Sequence, residues 1–159
     1  MTDVPPETGT IIPDDDHVLR YVAPRHVENG VVNGEGFLRR PAEDASSVNW
    51  LECFDPPVEQ QVDQVRGLAR IRYAKTGQLA KLNVGYTRNY VKDNAPDSAA
   101  LVFVHDPLAA EGEHSADPSH ALIQGMPTAE TVEAALVKDL IADCIILPLF
   151  AAVPKKEEA

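Results

Sequence analysis

The chain has 159 residues, of which 44% are hydrophobic and 25% charged, a length and balance that suit one globular core rather than a disordered or fibrous polypeptide. Asp and Glu outnumber Lys and Arg by 25 to 14, giving a formal net charge of −11, which repels a phosphate backbone at long range and argues against nucleic acid as a partner. No apolar run reaches the ~18–20 residues needed to span a bilayer, and the opening "MTDVPPETGTIIPDDD" has neither the basic nor the apolar region of a secretory leader; a cytoplasmic protein of bacterial style, with no membrane partner, is the expectation.

Residues 1–16 are rich in Pro, Thr and acid, a composition that predicts a flexible arm. A single domain is expected over 17–153, with a charged tail over 154–159. "HVLRYVA" (17–23) has the β-branched and aromatic content of a strand, and Pro24 stops it. "ENGVVNGEGFLRRP" (28–41) reads as a turn at Asn29-Gly30, a short strand, a second turn at Asn33-Gly34 and another strand holding Phe37 and Leu38. "SSVNWLECF" (46–54) is predicted as a strand ended by Asp55-Pro56-Pro57. Val58, Val62, Val65, Leu68 and Ala69 then form one apolar stripe, predicting a helix from about 58 to 75 with Gly77 as its stop.

"LAKLNVGYTRNYV" (79–91) suits one or two strands through Leu82, Val84, Tyr86 and Tyr90. "AALVFVH" (99–105) reads as a buried strand and "HALIQGM" (120–126) as a shorter one. A second helix opens at Pro127-Thr128, with Thr128 as N-cap, Glu130 and Glu133 at the positive end of the dipole, and Val132, Leu136, Leu140 and Cys144 on one face. It is expected to run to about Ile145. This order predicts an α+β fold, a mostly antiparallel sheet with two helices packed on one face.

Chemistry is sought first in "VFVHDPLAAEGEHSADPSHALI" (102–123). A buried strand ending at His105-Asp106 presents polar groups where the chain leaves the core. If it pairs with the strand starting at His120, the two imidazoles meet at one edge. His105, Asp106 and His120 could then bind a divalent metal such as Zn²⁺, Mn²⁺ or Fe²⁺. In that reading Glu111 or Glu113 is the general base and His114 a further ligand or proton carrier. The bland alternative is a solvated loop, since Asp106-Pro107 and Asp117-Pro118 are turn starters.

In "SSVNWLE", Ser47 and Asn49 share a strand face and could line a cleft, while Trp50 anchors the core. Glu52 calls for an ion pair with Arg20, Arg39 or another cation near the sheet edge. Arg66, Arg70, Arg72 and Lys75 fall in one basic segment, read as a solvated helix face. Cys53 and Cys144 form no CxxC pair, so neither a zinc ribbon nor a disulfide framework is expected, and both read as small buried residues. No Gly-rich phosphate loop, Gly-x-Ser-x-Gly elbow or His-Glu-x-x-His helix occurs.

The leading functional expectation is an acidic interaction protein, an adaptor or regulatory subunit that holds a protein partner, with homo-oligomerisation left open. The alternative is a small metal-dependent hydrolase acting on a phosphoester or nucleotide through the His/Asp cluster. A third reading rests on Arg20 and Tyr21 in the first strand, Ser47 and a later Glu. Their dispersed pattern resembles that of mono-ADP-ribosyltransferases, and the resemblance implies that arginine holds NAD phosphate and glutamate steers the ribosyl cation. The local Ser-Thr-Ser of that family does not occur here.

Overall fold

The computed structural model describes residues 9–37, 46–127 and 131–154. Among the described residues eight strands form, β1 (His17–Val22), β2 (Val27–Glu28), β3 (Val31–Val32), β4 (Ser46–Trp50), β5 (Gln78–Asn83), β6 (Val102–His105), β7 (His120–Gln124) and β8 (Ile146–Ala151), with helices α1 (Val58–Leu68), α2 (Val84–Asn94) and α3 (Val132–Asp143). Six of the strands make one antiparallel sheet in the order β6-β7-β4-β1-β5-β8. The α+β class and the antiparallel sheet are as the sequence predicts.

Strand alternation sends neighbouring side chains to opposite faces. Val18, Val22, Val48, Ala80, Leu82, Phe103, Ala121 and Ile123 pack with Val84 and Val91 of α2 and Val137, Leu140 and Ile141 of α3. Leu19 and Leu79 point the other way and pack with Val62 and Val65 of α1. α2 and α3 therefore cover one face and α1 covers part of the other, so the two helices that the sequence predicts, α1 and α3, lie on opposite faces of the sheet rather than on one.

Local chemistry explains where expectation and structure part. Asn29-Gly30 does turn the β2–β3 hairpin, both residues having positive φ (52° and 77°), the conformation that the Asn-Gly pair favours. The strand expected after Asn33-Gly34 is instead a 3₁₀ turn over Gly34–Phe37, which sinks Phe37 into the core; Leu38 and Arg39 lie outside the described residues. β4 stops at Trp50, and Leu51–Cys53 is a 3₁₀ turn. α1 ends at Leu68 rather than near 75, because Ala69 turns extended (ψ 128°) and Tyr73 leaves the helical path to stack on Tyr21 at 4.5 Å.

Residues 84–94 are helical, not extended. The Asn83 side chain accepts a hydrogen bond from the Tyr86 N–H at 2.8 Å, and Val84, Thr87 and Val91 bury one face at helical spacing. In α3 the cap is Thr131, while Thr128 and Glu130 lie outside the described residues. The buried stripe is Ala134, Val137, Leu140 and Ile141, leaving Val132 and Leu136 exposed. β8 was not anticipated; Pro148 sits on this edge strand, where a missing ladder donor is tolerated.

The arm expected over 1–16 is packed from Gly9 onward. Ile11 bridges Val104, Ile12 is fully buried, and Arg88 of α2 grips Asp14 with two hydrogen bonds of 2.6 and 2.9 Å. This segment covers the β6 edge of the sheet.

Candidate functional site

β6 and β7 are neighbours, but their register decides what meets. His105 pairs with Ala121, not His120. A one-residue offset in a ladder places two side chains on opposite faces. His105 therefore points to the α2/α3 side, where it is 1% exposed and meets Trp50 edge-on at 4.9 Å. Its Nε2 donates to the Pro118 carbonyl at 2.5 Å, and its buried Nδ1 has no partner among the described residues. His120 points to the α1 side, beside Asn49 in the register.

The metal set expected from sequence is corrected accordingly: His105 is parted from Asp106 and His120 by the sheet itself. Among the described residues no group of three or more His, Cys, Asp or Glu side chains gathers to hold an ion. What remains is a pair. His120 Nδ1 lies 2.9 Å from the Asp106 carbonyl and 3.2 Å from its carboxylate, both side chains half-buried. A carbonyl can only accept, so Nδ1 carries the proton and Nε2 is left as the basic nitrogen.

Beside this pair lies a second network that sequence reading missed. Asp117 Oδ1 accepts from the Ser119 N–H at 2.9 Å and its hydroxyl at 2.7 Å. Asn49 Nδ2 donates to Ser119 Oγ at 2.9 Å and to Asp117 Oδ2 at 3.2 Å. Asp117 and Ser119 are buried, and every one of these atoms is matched, so the network holds shape rather than offering a nucleophile. The signal was legible in Asp117-Pro118-Ser119, whose aspartate can bond the backbone two residues on. The Pro118 carbonyl also takes Cys53 Sγ at 3.5 Å. Burial first, then the negative charges of Asp117, Asp16 and Glu52, pushes the Cys53 thiol up to about 12.

Between the two Asp-Pro steps the chain makes a hairpin extension. Leu108 bridges Asp117, and Glu111 bridges His114 through paired backbone hydrogen bonds of 3.0 and 2.9 Å. Glu111, Glu113 and His114 are exposed at its tip. Its two arms are tied from outside by one guanidinium: Arg70 donates to the Ala109 carbonyl at 2.5 Å and to the Ser115 carbonyl at 3.0 Å. Arg70 is thus a structural clamp, not a solvated helix residue.

The remaining candidates serve the sheet. Glu52 accepts from the His17 N–H at 2.6 Å and pairs with His17 Nδ1 at 2.7 Å, so its partner is a histidine and not Arg20; Arg39 lies outside the described residues. Arg20 donates to the Ser47 carbonyl at 2.6 Å, joining the first strand to the fourth through the backbone. Ser47 itself is exposed, and Asn49, expected in a cleft, is spent on Asp117 and Ser119. Trp50 anchors the core as expected and donates its indole N–H to Asp16 at 2.9 Å.

Comparison with protein families, characterised proteins and solved structures found no match for this chain. No helix among the described residues is long and apolar enough to cross a membrane.

Proposed function

We propose that this chain is an acidic interaction protein that presents the hairpin over residues 107–118 to a basic surface on a protein partner. The observation that supports it is the contrast within that hairpin. Its base is braced by Arg70, Asn49, His105 and the Asp117–Ser119 network, while Glu111, Glu113 and His114 at the tip stand in solvent. A recognition element held rigid before contact loses little conformational freedom on binding. A net charge of −11 also steers a basic surface toward it.

The test is quantitative capture from the native extract with the wild-type chain and with Glu111→Gln/Glu113→Gln, followed by mass measurement of the complex. One protein that is retained by the wild type, released by the double variant and weakened by salt supports the reading. A wild-type chain that runs alone in its own extract ends it.

A second reading keeps the half-buried Asp106–His120 pair as a general base for hydrolysis of a phosphoester. Its metal would need ligands other than His105. Stoichiometric metal in protein purified without an affinity tag, together with loss of that metal in His120→Ala, is the result that would favour it. NAD consumption tests the transferase reading, for which Arg20 and Ser47 are already joined through a backbone carbonyl.

A further inference from the structure

The basic segment that runs from the last turn of α1 is divided in its work. Arg66 donates to the Ala151 carbonyl at 2.9 and 2.6 Å and pairs with Asp63, and Arg70 clamps the hairpin. Arg72 and Lys75 are exposed, and neither is held by a hydrogen bond or ion pair within the described residues. They line a cleft of about 630 Å³ together with Tyr73, Ala74 and Val153. It is open to solvent, nearer to a surface groove than to an enclosed cavity. Two unpaired cations over a partly apolar floor form a seat for an acidic chain segment.

The structure contains such a segment in the Glu111-Gly112-Glu113 tip, whose carboxylates are likewise free of ion pairs among the described residues. We propose that the Arg72–Lys75 cleft receives the Glu111–Glu113 tip of a second copy of this chain. This rests on reading the hairpin as a recognition element and names its partner. Charge complementarity argues for this occupant: the tip carries two carboxylates on a clamped hairpin and the cleft two cations, none of them held in an ion pair among the described residues. The Arg70 clamp fixes the hairpin base to the same segment that carries the cleft.

Repulsion between two bodies of charge −11 opposes the contact. At 0.15 M salt the screening length is about 8 Å, so repulsion between distant charges fades while pairs in contact persist. Exposed pairs are individually weak, and the association is accordingly reversible.

The experiment is a charge exchange read by analytical ultracentrifugation on the full chain. The wild type self-associates, and Glu111→Gln/Glu113→Gln weakens this about tenfold. Arg72→Glu/Lys75→Glu carries only acidic partners and is monomeric; Glu111→Lys/Glu113→Lys carries only basic ones and is monomeric too. Mixed, the two charge-reversed chains associate with each other. A monomeric wild type at every concentration, or a mixture that stays monomeric, overturns the proposal. Circular dichroism confirms that each variant is folded. The capture experiment above reads hairpin recognition independently, since a different protein retained by the tip would leave that reading standing while this one failed.

Discussion

The imidazole of His105 is sealed against Trp50, and its Nε2 must carry a hydrogen because the Pro118 carbonyl can only accept. Removing the ring takes away packing and leaves that carbonyl short of its strongest donor. His105→Ala should cost about 2–4 kcal/mol in urea unfolding, whereas His105→Gln, whose side-chain amide can reach the same oxygen, should recover a substantial part. Equal losses in both variants would show that the hydrogen bond contributes little. At the surface, Arg88 beside Asp14 holds that carboxyl below its ordinary value of 3.8, chiefly through the side-chain hydrogen bond. A depressed carboxylate contributes stability that is present above the unfolded pKa and lost as pH falls through the folded one. The stability gap between wild type and Arg88→Met should therefore be constant near neutrality and close below pH 3.8.

Among the elements, α2 shows best how contact overrides propensity. Glycine costs a helix about 1 kcal/mol relative to alanine, yet a Cβ at Gly85 would lie 2.7 Å from Asp14 Cβ. The segment over 13–16 crosses this helix start, with Asp14 and Asp16 carbonyls accepting from the Gly85 and Val84 N–H groups at 3.0 and 2.9 Å. Gly85→Ala should lower the thermal midpoint in spite of its better helix propensity; an increase would mean that the segment shifts freely. In α3 the buried stripe makes Val137→Ala cost about 2 kcal/mol, while Val132→Ala and Leu136→Ala stay within about 0.5 kcal/mol. The strands β1, β4, β6 and β7 were legible because each carries alternating or continuous apolar residues bounded by turn formers. α2 was not, since Leu82, Val84, Tyr86 and Tyr90 mimic a strand alternation while the decisive groups, the Asn83 cap and buried Thr87, are polar. α3 was found but rotated, because Val132 and Leu136 satisfy helical spacing as well as the true stripe does. The strands that carry His105 and His120 were legible, but the pairing of His105 with Ala121 depends on ladder register, which no single strand's sequence contains. Arg70 was invisible as a clamp because its acceptors are backbone carbonyls at 109 and 115.

At the scale of the whole molecule, Cys53, Tyr73 and Cys144 are among the described residues that bind their protons more tightly folded than unfolded, and Tyr90 is shifted the same way. Burial first, then neighbouring negative charge from Asp117, pushes the Cys53 thiol and the Tyr73 phenol up to about 12. Burial also lifts the Cys144 thiol to about 11 at the C-terminal end of α3. In the unfolded chain the thiols ionise near 9.0 and the phenol near 10.0. Above pH 9 the unfolded state therefore sheds protons that the native state keeps, so ν_U falls below ν_N and the slope of unfolding free energy against pH is negative. Stability should be flat in these groups below pH 8 and decline from about pH 9 until the folded groups themselves ionise near 11–12. Cys53→Ser/Cys144→Ala should shallow that decline, provided stability at pH 7 is used as each variant's own reference. The same burial keeps both thiols protonated in the native state, and thiolate is the reactive form. At pH 8 a disulfide reagent should modify neither cysteine on the timescale of a free thiol and both once denaturant is added, so labelling becomes a probe of opening. Rapid modification of Cys53 in native protein would place its thiol in a less buried, more ionised setting than beside the Pro118 carbonyl, and would remove one of the braces under the hairpin.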